Sequence, residues 1–255
     1  MSAPVDPFGL DGRVVVVTGA SSGLGTGFAR SLGGAGARLV LAARRVERLE
    51  AVAAELRDAG VEVATVAADV ARPDDCARVA QAAVDAFGRL DGLVNNAGLG
   101  GAVPALKETP QGWQDVVGVN LDGVFWTATE CARRMADGGA IVNVASVHGH
   151  LAPRSFPHAA YAATKSGVLG LTRALAAEWS GRRGIRVNAL CPGYFASEMT
   201  DAGGEQLASA VVGRTMLGRY GEQHELDGAV RFLLAPASSY VTGTSLTVDG
   251  GYSAW

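Results

Sequence analysis

VVVVTGASSGLG, residues 14 to 25, is the stretch that decides the fold of this chain. Its four consecutive valines are typical of a strand that is buried on both faces of a sheet. The glycines that follow allow a tight turn, and residues 26 to 35 predict a helix that closes at Gly36. A strand, a glycine-rich turn and a helix in this order direct backbone N–H groups and a positive helix terminus at a phosphate. We therefore expect a dinucleotide-binding turn, the alternative being an ordinary turn with additional glycines.

The same alternation continues through the rest of the chain. Further strands are predicted at residues 38–43, 61–66, 91–94, 140–145, 184–190 and 245–249, and helices at 46–59, 73–87, 110–135, 161–175 and 222–234. Strands that alternate with helices predict a parallel sheet in an α/β fold. With 255 residues, of which 48% are hydrophobic, the chain suits one large domain, residues 1–255, with a generous core.

Composition and charge exclude several classes of function. The formal net charge of −3 and the short Arg-Arg pairs give no basic patch for nucleic acid. Three widely spaced cysteines, Cys76, Cys131 and Cys191, favour a reducing compartment over a disulfide framework or a zinc site. The first residues lack the pattern of a signal peptide, and no stretch is long and apolar enough to span a bilayer. We expect a cytoplasmic protein that binds neither nucleic acid nor membranes.

The residues after the second and third predicted strands bear on the identity of the cofactor. About 20 residues beyond the glycine-rich turn, where an acid would hold the ribose 2′-hydroxyl of NAD, the chain has Arg44 and Arg45. A guanidinium there can pair with a 2′-phosphate, which favours NADP. The alternatives are that these arginines only solvate the start of a helix, and that Glu47 binds the ribose of NAD. Asp69 is either an acceptor for an adenine amine or a helix cap.

Two further segments follow predicted strands. Asn95-Asn96-Ala97-Gly98 has small residues that let a ligand approach the backbone, while its Asn side chains can tie neighbouring strands together. Ser146 stands at the end of the fifth strand. Ligands of open parallel sheets bind outside the carboxyl ends of the strands, so we expect the Ser146 hydroxyl in the same crevice as the glycine-rich turn.

Tyr161 and Lys165 stand four residues apart in an Ala-rich segment that predicts a helix, so their side chains share one face. A positive charge about 4 Å from a phenolic oxygen, at an effective dielectric near 20, is worth roughly 4 kcal/mol, or about three pKa units. This predicts that the pKa of Tyr161 is lowered towards about 7, where a general acid or base works best. Taken alone, the spacing more often joins a packing residue and a solvated charge.

Asn120 lies inside the long helix predicted from residue 110 to 135. Because an Asn side chain competes for backbone hydrogen bonds, its position predicts a local distortion of the helix with a water bound nearby. Taken alone, a solvent-facing Asn is the simpler interpretation.

Residues 147 to 160 contain three histidines, His148, His150 and His158. They would suit a metal, but no second cluster completes a coordination sphere, and we interpret them as the wall of a substrate pocket. Arg154 either meets an anionic substrate group or is a solvated loop residue. Residues 194 to 213 have a weak helical pattern and are interpreted as a lid.

Taken together, these residues resemble the short-chain dehydrogenase/reductase family over nearly the whole chain, from Arg13 to Gly251. The motifs stand in the family's order: TGASSGLG at 18–25, NNAG at 95–98, Asn120, Ser146, Tyr161 with Lys165, and Pro192-Gly193. The resemblance implies a Rossmann-type, doubly wound parallel sheet of about seven strands with helices on both faces.

The resemblance also implies roles for individual residues. Tyr161 would be the general acid in carbonyl reduction and the base in alcohol oxidation. Lys165 would lower the pKa of Tyr161 and hold the nicotinamide ribose, Ser146 would hydrogen-bond the substrate oxygen, and Asn120 would hold a water that links Lys165 to solvent. The cofactor contacts would be Gly19, Ser21, Ser22, Gly23, Leu24, Gly25, Arg44, Asp69, Val70, Asn95, Ala97, Gly98, Val119, Tyr161, Lys165, Pro192, Gly193 and Ser197, with no metal.

Two positions depart from the family pattern. Ser146 and Tyr161 are 15 residues apart, slightly more than is usual, so the intervening loop should bulge and shape the substrate pocket. Ser22 stands where many NADP-dependent members carry a basic residue, which leaves Arg44 as the main support for NADP.

The implied activity is the NAD(P)-dependent interconversion of a ketone or aldehyde and a secondary or primary alcohol by hydride transfer. NADP is expected as the cofactor, with NAD as the alternative. The substrate would be a small molecule, as for the 3-oxoacyl-(acyl-carrier-protein) reductases and the sugar or polyol dehydrogenases of the family. A homotetramer, or a homodimer, is implied, in which the Trp113 and Tyr161 helices meet partner subunits. The alternatives are a non-catalytic cofactor sensor, and an enoyl reductase or epimerase that uses the same site.

Overall fold

The computed structural model describes residues 6–136, 138–152, 157–196 and 209–254. Seven strands form one sheet in the order β3-β2-β1-β4-β5-β6-β7, and every neighbouring pair is parallel. The strands are β1 Val14–Thr18, β2 Arg38–Ala43, β3 Val63–Ala67, β4 Gly92–Asn95, β5 Gly139–Val144, β6 Ile185–Pro192 and β7 Ser245–Val248. This order and direction confirm the predicted doubly wound parallel sheet of the Rossmann type.

Helices connect the strands. In chain order these α-helices are α1 Gly23–Gly34, α2 Val46–Asp58, α3 Pro73–Phe87, α4 Pro110–Val117, α5 Gly123–Arg134, α6 Ala159–Arg183 and α7 Asp227–Leu234. Residues 209–212 are also helical. Short 3₁₀ turns occur at Ala105–Lys107, Val147–Gly149, Gln223–Leu226 and Pro236–Ser238. Within the described ranges, no helix combines the length and the hydrophobicity that a membrane crossing requires.

The valine run of β1 explains why both faces of the sheet are covered. Val15 and Val17 pack against α1, α2 and α7 on one face, whereas Val14 and Val16 pack against α3, α5 and α6 on the other. All four side chains are buried. Each contributes roughly 1.5–3 kcal/mol relative to an exposed side chain, so this strand anchors both layers of helices to the sheet.

Several element bounds differ from the predicted ones. The helix predicted from residue 110 to 135 is two helices, α4 and α5, joined by a π-type turn at Gly118–Asp122. The helix predicted from residue 222 begins instead as a 3₁₀ turn, and α1 begins at Gly23, three residues earlier than predicted. Helix α6 extends beyond residue 175 to Arg183, and the next residue, Gly184, has a positive φ of 64° that stops the helix.

The order in which strands are added to the sheet changes direction between β1 and β4. From β1 the sheet grows outwards through β2 and β3 on one side, and through β4 to β7 on the other. This is the topological switch point, at which the loops after the strands diverge and leave a crevice at the carboxyl edge. Six of the predicted site residues lie at, or within two residues of, the ends of strands at this edge: Gly19, Arg44, Asp69, Asn95, Ser146 and Pro192.

Candidate active site

The glycine-rich turn after β1 is fastened to the end of β4. The Thr18 hydroxyl oxygen accepts hydrogen bonds from the backbone N–H groups of Asn96 and Ala97, both at 3.0 Å. The Asn96 side-chain amide donates to the Thr18 carbonyl at 2.9 Å. A Cβ at Gly19 would lie 2.8 Å from Ala97 Cα, and one at Gly25 would lie 2.3 Å from the Gly19 carbonyl oxygen. The close packing of this turn therefore requires glycine at both positions.

The N-terminus of α1 lies beside this turn. Among the described residues, no side chain caps the helix at Ser22, and its first turn carries no acidic residue. A Cβ built on Gly23, whose φ is 53°, meets none of the described atoms within 4 Å. The first N–H groups of the helix and its positive end are thus presented to a ligand, and the residues fit the pyrophosphate of a dinucleotide.

Arg45 lies against the glycine-rich turn. Its Nη2 donates a hydrogen bond of 2.5 Å to the Ser22 hydroxyl, and both arginines of the Arg44-Arg45 pair are exposed. The sequence singled out Arg44 as the cofactor contact. The contact with the turn comes instead from its neighbour, because Arg45 is the residue that precedes α2 and points across the turn.

An apolar cluster lies next to the ends of β3 and β4. Val70 and Val119, both predicted contacts, are 8% exposed and pack together with Ala97 and Leu99. The sequence did not single out Leu99. The Asp69 carboxylate accepts a hydrogen bond of 3.1 Å from the N–H of Ala71 in its own loop. The alternative that Asp69 caps a helix is wrong, because Arg72 occupies the N-cap position of α3.

Asn95 ties the scaffold together. Its side-chain amide donates to the Val124 carbonyl at 3.1 Å and to the Asn143 side-chain oxygen at 3.0 Å. Asn143 in turn donates to the Thr172 hydroxyl at 3.0 Å, so this buried chain joins β4, β5, α5 and α6. The prediction that the NNAG motif is partly structural is confirmed. Asn143 was missed because it lies within an apolar strand that offers no motif.

Ser146, Tyr161 and Lys165 meet at the carboxyl edge of β5. The Ser146 hydroxyl oxygen accepts a 3.1 Å hydrogen bond from the N–H of His148, and Tyr161 lies in the first turn of α6. The Lys165 side chain is 4% exposed, and its Nζ donates to the Val144 carbonyl at 2.8 Å. Nζ lies 5.6 Å from the centroid of the Tyr161 ring. The buried Ser146 hydroxyl and Lys165 ammonium thus share one corner with the half-buried Tyr161 phenol.

Burial controls the protonation of this corner. Burial raises the pKa of Tyr161, although a hydrogen bond with Ser146 partly lowers it. Burial also lowers the pKa of Lys165 to about 8. The predicted lowering of the Tyr161 pKa is therefore wrong for this structure. Nζ lies over the ring and is bound to a carbonyl, so its attraction does not overcome the desolvation of the phenolate. At neutral pH the phenol is a proton donor.

Asn120 lies in the π-type turn between α4 and α5. The N–H of Gly123 donates to the Gly118 carbonyl, a spacing of five residues, which confirms the predicted distortion. The solvent-facing alternative is wrong, since Asn120 is 0% exposed. Its side chain accepts from the Leu99 N–H at 2.7 Å and donates to the Leu99 carbonyl at 2.9 Å.

Gly98 brings Asn120 and Lys165 together. A Cβ at Gly98 would lie 3.5 Å from the Asn120 side-chain oxygen and 3.7 Å from Lys165 Nζ. At the end of β6, the N–H of Gly193 donates to the Val248 carbonyl at 2.9 Å, so the predicted Pro192-Gly193 segment borders the same crevice. Two predicted residues, Arg154 and Ser197, lie outside the described residues, as do residues 197–208 of the predicted lid.

Two of the three loop histidines stand beside Tyr161. The His148 and His158 ring centroids lie 6.1 Å and 5.5 Å from the Tyr161 centroid, which agrees with their interpretation as a pocket wall. His150 lies 3.6 Å from Cys191 Sγ. In the part of the chain that the structure describes, no three His, Cys, Asp or Glu residues are arranged to hold a metal ion. Tyr194, the first residue of the predicted lid, contacts His148; the sequence did not indicate this contact, because 46 residues separate the two.

Comparison with known proteins identifies the family. A family model described as "Enoyl-(Acyl carrier protein) reductase" matches residues 19–253. The fold, the glycine-rich turn and the Ser146, Tyr161 and Lys165 corner agree with that match. The chain therefore belongs to the short-chain dehydrogenase/reductase family of NAD(P)-dependent oxidoreductases.

The relatives are similar over their whole length. A galactitol 2-dehydrogenase (L-tagatose-forming) of Cereibacter sphaeroides is 43% identical, with 97% of this chain and 98% of the relative covered. A gluconate 5-dehydrogenase of Gluconobacter oxydans is 38% identical, with 98% of each chain covered. The crystal structure of a gluconate 5-dehydrogenase from Burkholderia cenocepacia, in complex with NADP and tartrate, superposes with a TM-score of 0.93 at 38% identity, with 98% of each chain covered.

Proposed function

We propose that this oxidoreductase interconverts a ketone and a secondary alcohol, with Tyr161 as the general acid and base and with NADP(H) as the preferred cofactor. The observation that carries the proposal is the meeting of Ser146, Tyr161 and Lys165 in one corner at the carboxyl edge of the sheet. That corner lies on the same edge as the glycine-rich turn, which fits the phosphates of a dinucleotide.

The chemistry follows from where charge develops. When bound, the nicotinamide supplies a hydride to the carbonyl carbon, or accepts one from the alcohol carbon. As the hydride reaches the carbonyl carbon, negative charge grows on oxygen, and the Tyr161 hydroxyl transfers its proton there while the Ser146 hydroxyl donates a hydrogen bond. The raised pKa of Tyr161 keeps this proton in place until that charge develops. In the oxidation direction, Tyr161 first loses its own proton to solvent, and the phenolate that results takes the proton from the alcohol.

Lys165 and Asn120 support the phenolate that forms in this step. Below its pKa of about 8, Lys165 carries a positive charge close to the Tyr161 ring, which favours the phenolate. Its bond to the Val144 carbonyl fixes the ammonium on one side, and we assign to the same ammonium the binding of the nicotinamide ribose. The π-type turn at Asn120 would hold the water that links Lys165 to solvent, since distorted helical turns leave backbone groups open to other partners.

The preference for NADP rests on Arg44 and Arg45. Both are exposed at the corner between β2 and α2, and Arg45 reaches Ser22 on the glycine-rich turn. A planar guanidinium there would pair with a 2′-phosphate through charge-assisted hydrogen bonds.

The test is a titration of NADPH and NADH against wild type, Arg44→Ala and Arg45→Ala. Loss of the Arg45 contact should weaken NADPH binding at least about tenfold, because a charge-assisted hydrogen bond contributes about 1.5–3 kcal/mol, while NADH binding stays within about twofold. Arg182→Ala, at the far end of α6, is the matched control. Equal effects of the Arg45 change on both cofactors would remove the arginine from this role.

The names of the relatives favour a polyol or a sugar acid as the substrate. Assays can separate these substrate classes from fatty-acyl reduction. Oxidation of galactitol and gluconate is measured with NADP⁺, and reduction of a 3-oxoacyl thioester with NADPH. The family description also favours enoyl reduction as a second candidate, and product analysis with an enoyl thioester separates it. A cofactor sensor would bind NADPH with normal affinity and turn over none of these compounds.

We further propose a cytoplasmic homotetramer. All three cysteines are buried free thiols, as expected in a reducing compartment. The aromatic side chains of Trp113, Phe125 and Trp126 on α4 and α5 are 36–38% exposed, which supports a surface that packs against a partner subunit.

A further inference from the structure

The segment from Ser146 to His150, here called the Ser146 turn, is held from two sides of the fold. Three residues do this: His150 at the end of the turn, Cys191 on β6 and Ser166 on α6, here called the clamp. We infer that the clamp residues are positioning residues, which orient the Ser146 hydroxyl towards the substrate oxygen. The inference rests on the proposed function, in which Ser146 hydrogen-bonds that oxygen, and adds three residues that act through it.

The Ser146 hydroxyl is oriented by the turn that follows it. Ser146 caps the 3₁₀ turn Val147–Gly149, and its hydroxyl oxygen accepts a hydrogen bond of 3.1 Å from the N–H of His148. This bond uses a lone pair of the oxygen and leaves the hydroxyl hydrogen to be donated on the side of Tyr161, with which Ser146 also interacts. The direction of that hydrogen therefore depends on where the turn lies.

The far end of the turn is joined to β6. His150 Nε2 and Cys191 Sγ are hydrogen-bonded at 3.6 Å. Burial raises the pKa of Cys191 to about 11, so at neutral pH the thiol keeps its hydrogen and can donate it to Nε2. His150 is exposed, whereas Cys191 is 0% exposed. An exposed end of the turn is thus attached to a fixed, buried atom of the sheet.

Cys191 also lies next to the start of the turn. Burial has the largest effect on the pKa of its thiol, and the N–H of Ser146 and the ammonium of Lys165 act against this effect, so both groups lie near Sγ. The side chain packs in an apolar cluster with Ala145 and Val168. One buried side chain of β6 therefore lies beside both ends of the Ser146 turn.

The middle of the turn is attached to α6. Ser166 Oγ donates a hydrogen bond of 3.0 Å to the Gly149 carbonyl. A Cβ at Gly149 would lie 2.9 Å from the Lys165 carbonyl oxygen, so the turn lies directly on the helix backbone. Because α6 carries Tyr161 and Lys165, this contact fixes Ser146 relative to the other two residues of the reacting corner.

The clamp matters because a hydrogen-bond donor stabilises developing charge only from the right position. The Ser146 hydroxyl must lie about 3 Å from the oxygen on which charge grows, and a misplacement of about 1 Å can cost on the order of 100-fold in rate. The clamp residues act through the backbone of the turn and have no assigned contact with the cofactor. Loss of one of them should therefore lower kcat while the affinity for NADPH is kept.

The experiment measures kcat with the compound, among galactitol, gluconate and the 3-oxoacyl thioester, that wild type turns over fastest. Cys191→Ala and His150→Ala should each lower kcat about tenfold, and the double variant should lower it no further, because both changes remove the same hydrogen bond. Cys191→Ser keeps a hydroxyl that can donate to Nε2, and should stay within about threefold of wild type. Ser166→Ala, at an exposed position, should lower kcat about threefold or more.

A second set of variants shows whether the clamp acts through Ser146. In a Ser146→Ala background no hydroxyl is left to orient, so adding Cys191→Ala or Ser166→Ala should change the residual kcat less than about twofold. Cys131→Ala makes the same change at another buried cysteine, on α5, and Ser239→Ala makes it at another exposed serine. Both controls should leave kcat within about twofold of wild type.

Thermal melting and the dissociation constant for NADPH report whether each variant is folded, and the latter should stay within about threefold of wild type. If Cys191→Ala does not fold, the exposed positions His150 and Ser166 carry the test. Unchanged kcat in the folded clamp variants, or their full loss repeated in the Ser146→Ala background, would overturn the clamp and leave the proposed function intact. If NADPH binds but wild type turns over none of the compounds, the proposed function fails and the clamp with it.

Discussion

At the scale of single residues, burial governs this site more than charge does. It raises the pKa of Tyr161 and lowers those of Lys165 and His148. The positive charge of Lys165 was expected to dominate, but the ammonium is itself costly to bury.

The pKa of His148 makes a prediction about acid stability. Its value of about 4 in the folded protein lies below the ordinary value of 6.5, so the unfolded chain takes up a proton first as the pH falls. The contribution is fully present above pH 6.5, and is lost as the pH falls from about 6.5 to about 4, on the order of 3 kcal/mol in all. Melting temperatures between pH 4.5 and 7.5 should decline less steeply for His148→Phe than for wild type, with His224→Phe as the control. Parallel curves for His148→Phe and wild type would contradict this account.

Individual residues also show which features of the site could be predicted from the sequence. Spacing and order identified Ser146, Tyr161 and Lys165, because the motif fixes which side chains reach the carboxyl edge. Their pKa values could not be predicted from the sequence, since these depend on burial and on contacts such as the hydrogen bond from Lys165 to the Val144 carbonyl. The contact between Tyr194 and His148 was not predicted either, because only the fold brings the two together.

At the scale of elements, the π-type turn between α4 and α5 is the clearest link from sequence to site. An Asn inside a predicted helix indicated the distortion, and the structure adds that Asn120 bonds both backbone groups of Leu99. Propensity arguments cannot show which partner a buried side chain finds. They also misplaced the start of α1, where the glycines of the turn already belong to the helix.

Asn120→Ala and Asn143→Ala form a matched pair for this element. Both side chains are 0% exposed and hydrogen-bonded, so each change should lower the free energy of unfolding by roughly 1–3 kcal/mol. Only Asn120 adjoins Gly98 and Lys165 in the reacting corner, so only Asn120→Ala should also lower kcat, by about tenfold or more. Denaturant unfolding and steady-state kinetics measure the two effects. Equal losses of kcat in both variants would show that Asn120 acts through stability alone.

At the scale of the whole molecule, the sheet was the easiest feature to predict. A strand of four valines must be buried on both faces. The helices that connect successive parallel strands pack on both faces of the sheet and bury it. That one domain spans residues 1–255 stays a prediction. So does the tetramer, which the family resemblance implies and which the structure of one chain does not test.

The exposed aromatic face on α4 and α5 makes the tetramer testable. Phe125 and Trp126 pack edge to face, with ring centroids 4.9 Å apart. Light scattering of wild type should give about 104 kDa, four chains of 26.0 kDa, and Trp126→Glu should reduce this mass because a buried carboxylate opposes association. Val46→Glu places the same charge at an exposed position on α2 and should leave the mass unchanged. An unchanged mass for Trp126→Glu would exclude this face as the interface.

The most direct measurement of the central claim compares Tyr161→Phe with wild type in turnover and in NADPH binding. The change removes the hydroxyl that transfers the proton and keeps the ring beneath Lys165 Nζ. We predict that kcat falls by about 100- to 10,000-fold, the contribution of a positioned general acid, while the dissociation constant for NADPH stays within about threefold. Turnover within about tenfold of wild type, with the variant folded and NADPH bound, would contradict the assignment of Tyr161 as the general acid and base.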